Sequence, residues 1–135
     1  MSPHKIEGQG RRILVVDDDL AIRILLQAVL RRLDFDVTLA EDGEVGLQLL
    51  REETFDLVLL DLMMPKVSGY EFIERASELD GRTPHMIVFT AAGQRGIARI
   101  PADSVCDAIL KPFDLEKFLE LIERCLEGHP PGPGT

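Results

Sequence analysis

Four apolar runs in this 135-residue chain each end in a residue able to do chemistry. Residues 13–16 (Ile-Leu-Val-Val) run into Asp17, Asp18 and Asp19, and 57–60 (Leu-Val-Leu-Leu) into Asp61; 86–89 run into Thr90 and 108–110 into Lys111. Carboxylates brought together repel one another, so a fold would avoid such a cluster unless a cation offset the charge. Oxygen-only ligands suit a hard ion, and Mg²⁺, which takes few protein carboxylates and keeps its waters, is the expected occupant. A divalent cation beside a hydroxyl and an ammonium is also what a phosphoryl group in transfer requires. The cation, Thr90 and Lys111 can each offset charge on a different oxygen. One carboxylate is then left to act as nucleophile. Asp61 stands alone at its strand end and takes that role, giving an acyl phosphate, while Asp17 and Asp18 hold metal.

Singly, each of these residues has a plainer reading. An Asp run before a helix caps it, Asp61 solvates a strand end, Thr90 is a β-branched strand residue, and Lys111 alone says nothing. Their convergence on one rim argues for a site, because a single phosphoryl-binding centre accounts for all of them.

The elements that must position them follow from periodicity. The runs 13–16, 57–60 and 86–89, with a weaker one at 35–39 and a short one at 108–110, are too short for helices and read as strands. Helical spacing of apolar residues follows Asp19 (Leu20, Ile22, Leu25, Leu26, Val29, Leu30, Leu33), continues over 44–50 and 70–79, and returns after Asp114 (Leu115, Phe118, Leu119, Leu121, Ile122, Cys125, Leu126), with Gly128 as the stop. These apolar stripes are assigned to the core, with part of the last helix left to face a partner, and Met63 and Met64 to space filling. Strands apolar on both faces and joined by helices demand a parallel sheet covered on both sides, so the fold class is α/β, doubly wound. In such a sheet ligands bind outside the carboxyl ends of the strands, which is where the polar residues fall.

The size is that of one domain, and the composition limits its partners. Fifteen Lys and Arg against 24 Asp and Glu give a net charge of −9, which opposes binding to nucleic acid or anionic lipid. No apolar run approaches the length of a membrane span, and 1–10 is polar without the pattern of a secretory signal, so a cytoplasmic location is expected. Residues 1–10 are expected to be a flexible tail, 11–128 the folded domain, and 129–135, rich in Pro and Gly, a tail or linker stub. Cys106 and Cys125 show no metal-ligand or CxxC spacing, so both are expected as free thiols in the core, without a disulfide. His4, His85 and His129 have no partners by spacing and receive no role.

The segments ILVVDDD (13–19), LVLLDLMMPKVSG (57–69), FTA (89–91) and ILKPF (109–113) together resemble the receiver domain of two-component response regulators. The resemblance covers roughly 12–127. It implies a flavodoxin-like sheet of order 2-1-3-4-5 and a signalling switch rather than an enzyme, phosphorylated by a sensor histidine kinase or a histidine phosphotransfer protein and acting through protein contacts. It implies Asp61 as phosphoacceptor, Thr90 and Lys111 as phosphoryl ligands, and a cis bond between Lys111 and Pro112. For the metal it implies Asp18, Asp61 and the Met63 backbone carbonyl as direct ligands, with Asp17 acting through water. Family members border the path of attacking water with the residues two after the acceptor and two after the Thr, here Met63 and Ala92.

The chain departs from the family in its fourth helix. Gly93, Gly96 and Pro101 permit only a short or distorted helix, and Ala108 stands where an aromatic residue usually does. The segment 91–107 is therefore expected to be mobile and to order or shift on phosphorylation. Two other functions compete. Asp17-Asp18-Asp19 contains the Asp-x-Asp of haloacid-dehalogenase-like phosphatases, but the late acidic pair of that family is missing around 111–113. A receiver-like interaction module independent of phosphorylation is the other. Whether the domain stands alone or is part of a larger protein is left open.

Overall fold

The computed structural model describes residues 6–79, 84–101 and 103–127. The elements alternate as β1 (Arg12–Val16), α1 (Leu20–Arg32), β2 (Asp36–Ala40), α2 (Gly43–Glu52), β3 (Leu57–Asp61), α3 (Gly69–Ser77), β4 (His85–Thr90), α4 (Gly93–Ala98), β5 (Asp107–Leu110) and α5 (Leu115–Leu126). All strand pairs are parallel and the sheet runs β2-β1-β3-β4-β5, the expected doubly wound order.

Side chains alternate across the central strands and feed two apolar layers. Leu14, Val16, Val58, Leu60, Met86 and Val88 meet Leu47 of α2 and Phe72, Ile73 and Ala76 of α3. Ile13, Val15, Leu57, Leu59, Ile87 and Phe89 meet Leu26 and Leu30 of α1 and Phe118, Leu119 and Ile122 of α5 on the other face. Short side chains start four of the helices: Asp19, Asp42, Ser68 and Asp114 each accept a backbone N–H from the first turn. Asp19 is thus engaged as a cap.

Helix α4 is six residues long and has no side-chain cap, as its glycines lead one to expect. It is nevertheless packed. The Tyr70 hydroxyl donates to the Gly96 carbonyl (2.7 Å), Arg99 lies over the Tyr70 ring, and Ile100 and Val105 join the core. The described residues of 91–107 are thus packed against α3 and the core in this arrangement.

Three expectations are corrected. The polar N-terminal segment is not all tail: Ile6 is buried in the α1/α5 layer, and Gly8 donates to the Leu33 carbonyl and accepts from the Arg11 side chain. Gly8 is needed there, since a Cβ would sit 2.5 Å from the Asp34 backbone. The α1 stripe is not all core. Leu20 and Leu25 are exposed, because a helix packed by one face on a sheet has room inside only for residues such as Leu26 and Leu30. Met64 is buried as a filler, whereas Met63 is 57% exposed.

Cys106 and Cys125 are bonded to each other, with Cα atoms 6.2 Å apart. The geometry of one strand–helix unit explains this. From Cys106 to the end of β5 the chain climbs at about 3.3 Å per residue, and α5 returns at about 1.5 Å per residue. The four steps from Cys106 to Leu110 cover roughly 13 Å and the ten from Leu115 to Cys125 roughly 15 Å, which brings the two cysteines to about one height. The tails 1–5 and 128–135, with His4, His129 and the Gly128 stop, lie outside the described residues.

Because Ile6 fills a place in the α1/α5 layer, Ile6→Ala lowers stability by about 2 kcal/mol, the low end for a buried Ile→Ala change since the segment flanks a chain end. Urea unfolding measures this, and an unshifted midpoint would return the segment to the tail.

Candidate functional site

Register assembles the rim. Val16 pairs with Leu60, Asp61 with Phe89, and Thr90 with Leu110, so Asp17, Asp61, Thr90 and Lys111 stand at the carboxyl ends of four adjacent strands. Asp17, Asp61 and Thr90 are buried and Lys111 is half-buried, while Asp18 is exposed at the opening. Carboxylate oxygens of Asp17, Asp18 and Asp61 lie within 4.8 Å of one another.

Each buried carboxylate divides its oxygens between two tasks. Asp17 Oδ1 accepts from the Asp19 backbone (2.9 Å) and Asp61 Oδ1 from the Met63 backbone (3.0 Å), which fixes both loops. Asp17 Oδ2 and Asp61 Oδ2 each accept from Lys111 Nζ at 3.2 Å. One ammonium therefore bridges two carboxylates contributed by different strands. The loop after Asp61 is held tight where α3 begins, for Gly69 donates to the Leu62 carbonyl and a Cβ on Gly69 would lie 2.5 Å from Leu62 Cα. Thr90 belongs to the rim, but its hydroxyl accepts from the Ala92 backbone (2.9 Å), at the entry to α4. The Lys111–Pro112 bond is cis, as the resemblance implies.

Burial pushes the Asp17 carboxyl up to about 6. The Asp19 amide and Lys111 draw it down, the neighbouring Asp61 charge draws it up, and loss of water outweighs them. At Lys111 burial opposes the charge, but Asp17 and Asp61 together hold the ammonium above its ordinary value. The three carboxylates form an all-oxygen set with more negative charge than one ammonium offsets, which fits a hard divalent cation.

Two contributors escape a motif-based reading. Arg23 in α1 donates to the Asp17 carbonyl (2.6 Å), and the Phe89 ring lies 5.1 Å from Lys111 Nζ. The position of Phe89 before Thr90 signals only a buried strand residue. Arg23 is recognisable only once α1 is known to start at Leu20, which puts Arg23 in the first turn beside the rim.

The burial of Asp17 has a pH signature. Its folded-state pKa lies above the unfolded value, so between about pH 4 and 6 folding takes up a proton and stability falls as pH rises. Without divalent cations, Asp17→Asn therefore matches the parent near pH 4 and exceeds it at pH 7 by on the order of 2–3 kcal/mol. Urea unfolding across that range with a chelator present tests this; parallel stability curves would contradict it.

The model of the response regulator receiver domain matches residues 13–123. The chain is similar to the probable chemotaxis protein CheY of Rhizobium etli, with 34% identity over 115 residues, covering 83% of this chain and 89% of that protein. It is 32% identical over 114 residues to the transcriptional regulatory protein ZraR of Escherichia coli, covering 84% of this chain but only 26% of the relative. Among solved structures it resembles the response regulator TrrA of Thermotoga maritima in complex with Mg²⁺ and BeF, at 30% identity and a TM-score of 0.74, over 86% of this chain and 99% of that one. A family match spanning nearly the whole sheet, on strands in the order the family requires, makes this chain a member of the response regulator receiver domains, the regulatory domains of two-component signalling.

Proposed function

We propose that the chain is a phospho-accepting switch in which Asp61 takes a phosphoryl group from a phosphohistidine of a sensor histidine kinase or a histidine phosphotransfer protein. The observation that carries this is Lys111 Nζ placed between Asp17 Oδ2 and Asp61 Oδ2 at 3.2 Å each. An Asp61 oxygen attacks phosphorus, the P–N bond breaks, and its electron pair returns to the imidazole nitrogen. Lys111 is already beside the nucleophile, so it can follow the charge onto a phosphoryl oxygen with little reorganisation. Thr90 supplies the second phosphoryl ligand by turning its hydroxyl from the Ala92 amide.

Asp18, Asp61 and the Met63 carbonyl would hold Mg²⁺ directly, with Asp17 acting through water. That ion would supply charge neutralisation at the phosphoryl oxygens. The TrrA complex with Mg²⁺ and BeF, in a domain 30% identical, supports this assignment.

Asp61 is 4% exposed, so a donor must seat its phosphohistidine closely on the rim. The exposed Leu20, Ile24 and Met63 give a protein donor an apolar surface on which to do so. Output runs through protein contacts, with α4 as the moving part. A swing of the kind an aromatic side chain makes cannot occur at Ala108, whereas the Thr90–Ala92 hydrogen bond ties the site to the start of α4. In this reading the domain catalyses only its own phosphorylation and dephosphorylation.

Incubation with acetyl phosphate and Mg²⁺ adds a single phosphoryl mass, and Asp61→Asn abolishes it; undiminished labelling of that variant would sink the assignment. The lifetime of the acyl phosphate is a separate test. Neither Met63 nor Ala92 carries a side chain able to orient attacking water by hydrogen bonding, so self-dephosphorylation is slow. Met63→Asn or Ala92→Glu shortens the phosphoryl lifetime about tenfold, the equivalent of about 1.4 kcal/mol in the barrier. Decay of the isolated phosphoprotein measures this, and unchanged rates in both variants would refute it.

A further inference from the structure

The Cys106–Cys125 bond lies at the end of β5 remote from Lys111 and joins two elements with few other ties. Strand β5 is the sheet edge, four residues long, paired only with β4 and half-buried throughout. Helix α5 is anchored in its first half by Phe118, whose ring packs against Phe89 and Phe113. Ile122 and Leu126 pack into the α1/α5 layer, and the last turn is tied to β5 itself by the disulfide and by Arg124, whose exposed guanidinium pairs with Asp107 at 3.5 Å.

The fold does not depend on this bond for a core, since two apolar layers cover both faces of the sheet. The two sulfur positions are also unequal. Cys106 is half-buried at the surface, whereas Cys125 is 1% exposed within the α1/α5 layer. An incoming thiolate therefore approaches from the Cys106 side, and Cys125 is the sulfur that leaves.

We propose that Cys106–Cys125 is a thiol–disulfide exchange site for a dithiol, either a small molecule or one carried by a protein, and that its reduction loosens the last turns of α5 from β5 while the sheet and the rim stay intact. The first thiolate of the dithiol attacks Cys106 sulfur, the S–S bond breaks, and Cys125 leaves with the electron pair and takes a proton. The second thiol of the reductant attacks its own sulfur in the mixed disulfide, and Cys106 leaves and is protonated. Two electrons and two protons pass to the protein, and the dithiol ends as its disulfide. A disulfide-bearing oxidant runs the reaction backwards. After reduction the Arg124–Asp107 pair remains as a weak, solvent-screened tie, so α5 is loosened rather than released.

Oxidised full-length protein is treated under native conditions with dithiothreitol in one arm and with a reduced thioredoxin-type protein in the other, then read by thiol alkylation and by hydrogen exchange. The chain has only two cysteines, so alkylation adds nothing to the oxidised protein and two groups to the reduced one. Exchange over 119–126 rises about tenfold on reduction, while exchange over 12–16 and 57–61 is unchanged. The double variant Cys106→Ser, Cys125→Ser behaves as the reduced protein and ignores either reductant. Reduction by dithiothreitol alone assigns a small thiol as the source, and reduction in both arms a protein dithiol as well. Four results would overturn the proposal: two alkylations after oxidation, a bond that resists both reductants in the native protein, exchange over 119–126 unmoved by reduction, or global unfolding of the reduced protein or of the double variant. None of these readouts depends on phosphorylation.

Discussion

The structure is organised around a charge imbalance. Asp17 and Asp61 are withdrawn from water within reach of each other, Asp18 adds a third negative charge at the opening, and Lys111 is the cation that pairs with the two buried carboxylates. Burial of like charges opposes folding, so the fold must hold these residues by means unrelated to their own attraction. Those means are the parallel register of four strands, the backbone amides of Asp19 and Met63, and the close approach of Gly69 to Leu62. Two apolar layers supply the stability that offsets the imbalance.

Much of this is legible in the sequence, for a physical reason. Strands buried on both faces read as unbroken apolar runs, and a parallel sheet puts all their carboxyl ends on one rim, so the residue after each run is placed by topology. Asp17, Asp61, Thr90 and Lys111 were found in that way. Hydrogen-bond commitments beyond the local helix caps are not legible. That the Thr90 hydroxyl accepts from the Ala92 amide, or that Arg23 reaches the Asp17 carbonyl, depends on rotamers set by tertiary packing.

The misread features share a cause. Periodicity counts apolar residues on a helix but not the width of the surface that receives them, which leaves Leu20 and Leu25 outside. Composition marks 1–10 as tail because one apolar residue among polar ones carries no period, yet Ile6 finds a place beside α1 and α5. Spacing rules for cysteine describe metal sites and redox loops. The pairing of Cys106 with Cys125 depends instead on the rise of a strand matching the return of the helix after it.

The hydrogen bond from the Ala92 amide to Thr90 Oγ1 makes α4 and the rim competitors for one side chain. Any group at the rim that turns the hydroxyl toward itself leaves that amide without its partner and makes α4 easier to displace. Linkage requires the converse by the same factor: a protein that clamps α4 in its present position keeps the hydroxyl where it is and weakens the rim's hold on such a group. Tyr70, reaching from α3 to the Gly96 carbonyl, already bears on that balance from inside the chain. In the proposed switch the set-point thus belongs to α3 and α4 as much as to the carboxylates, and substitutions far from the rim can move it without touching a charged residue.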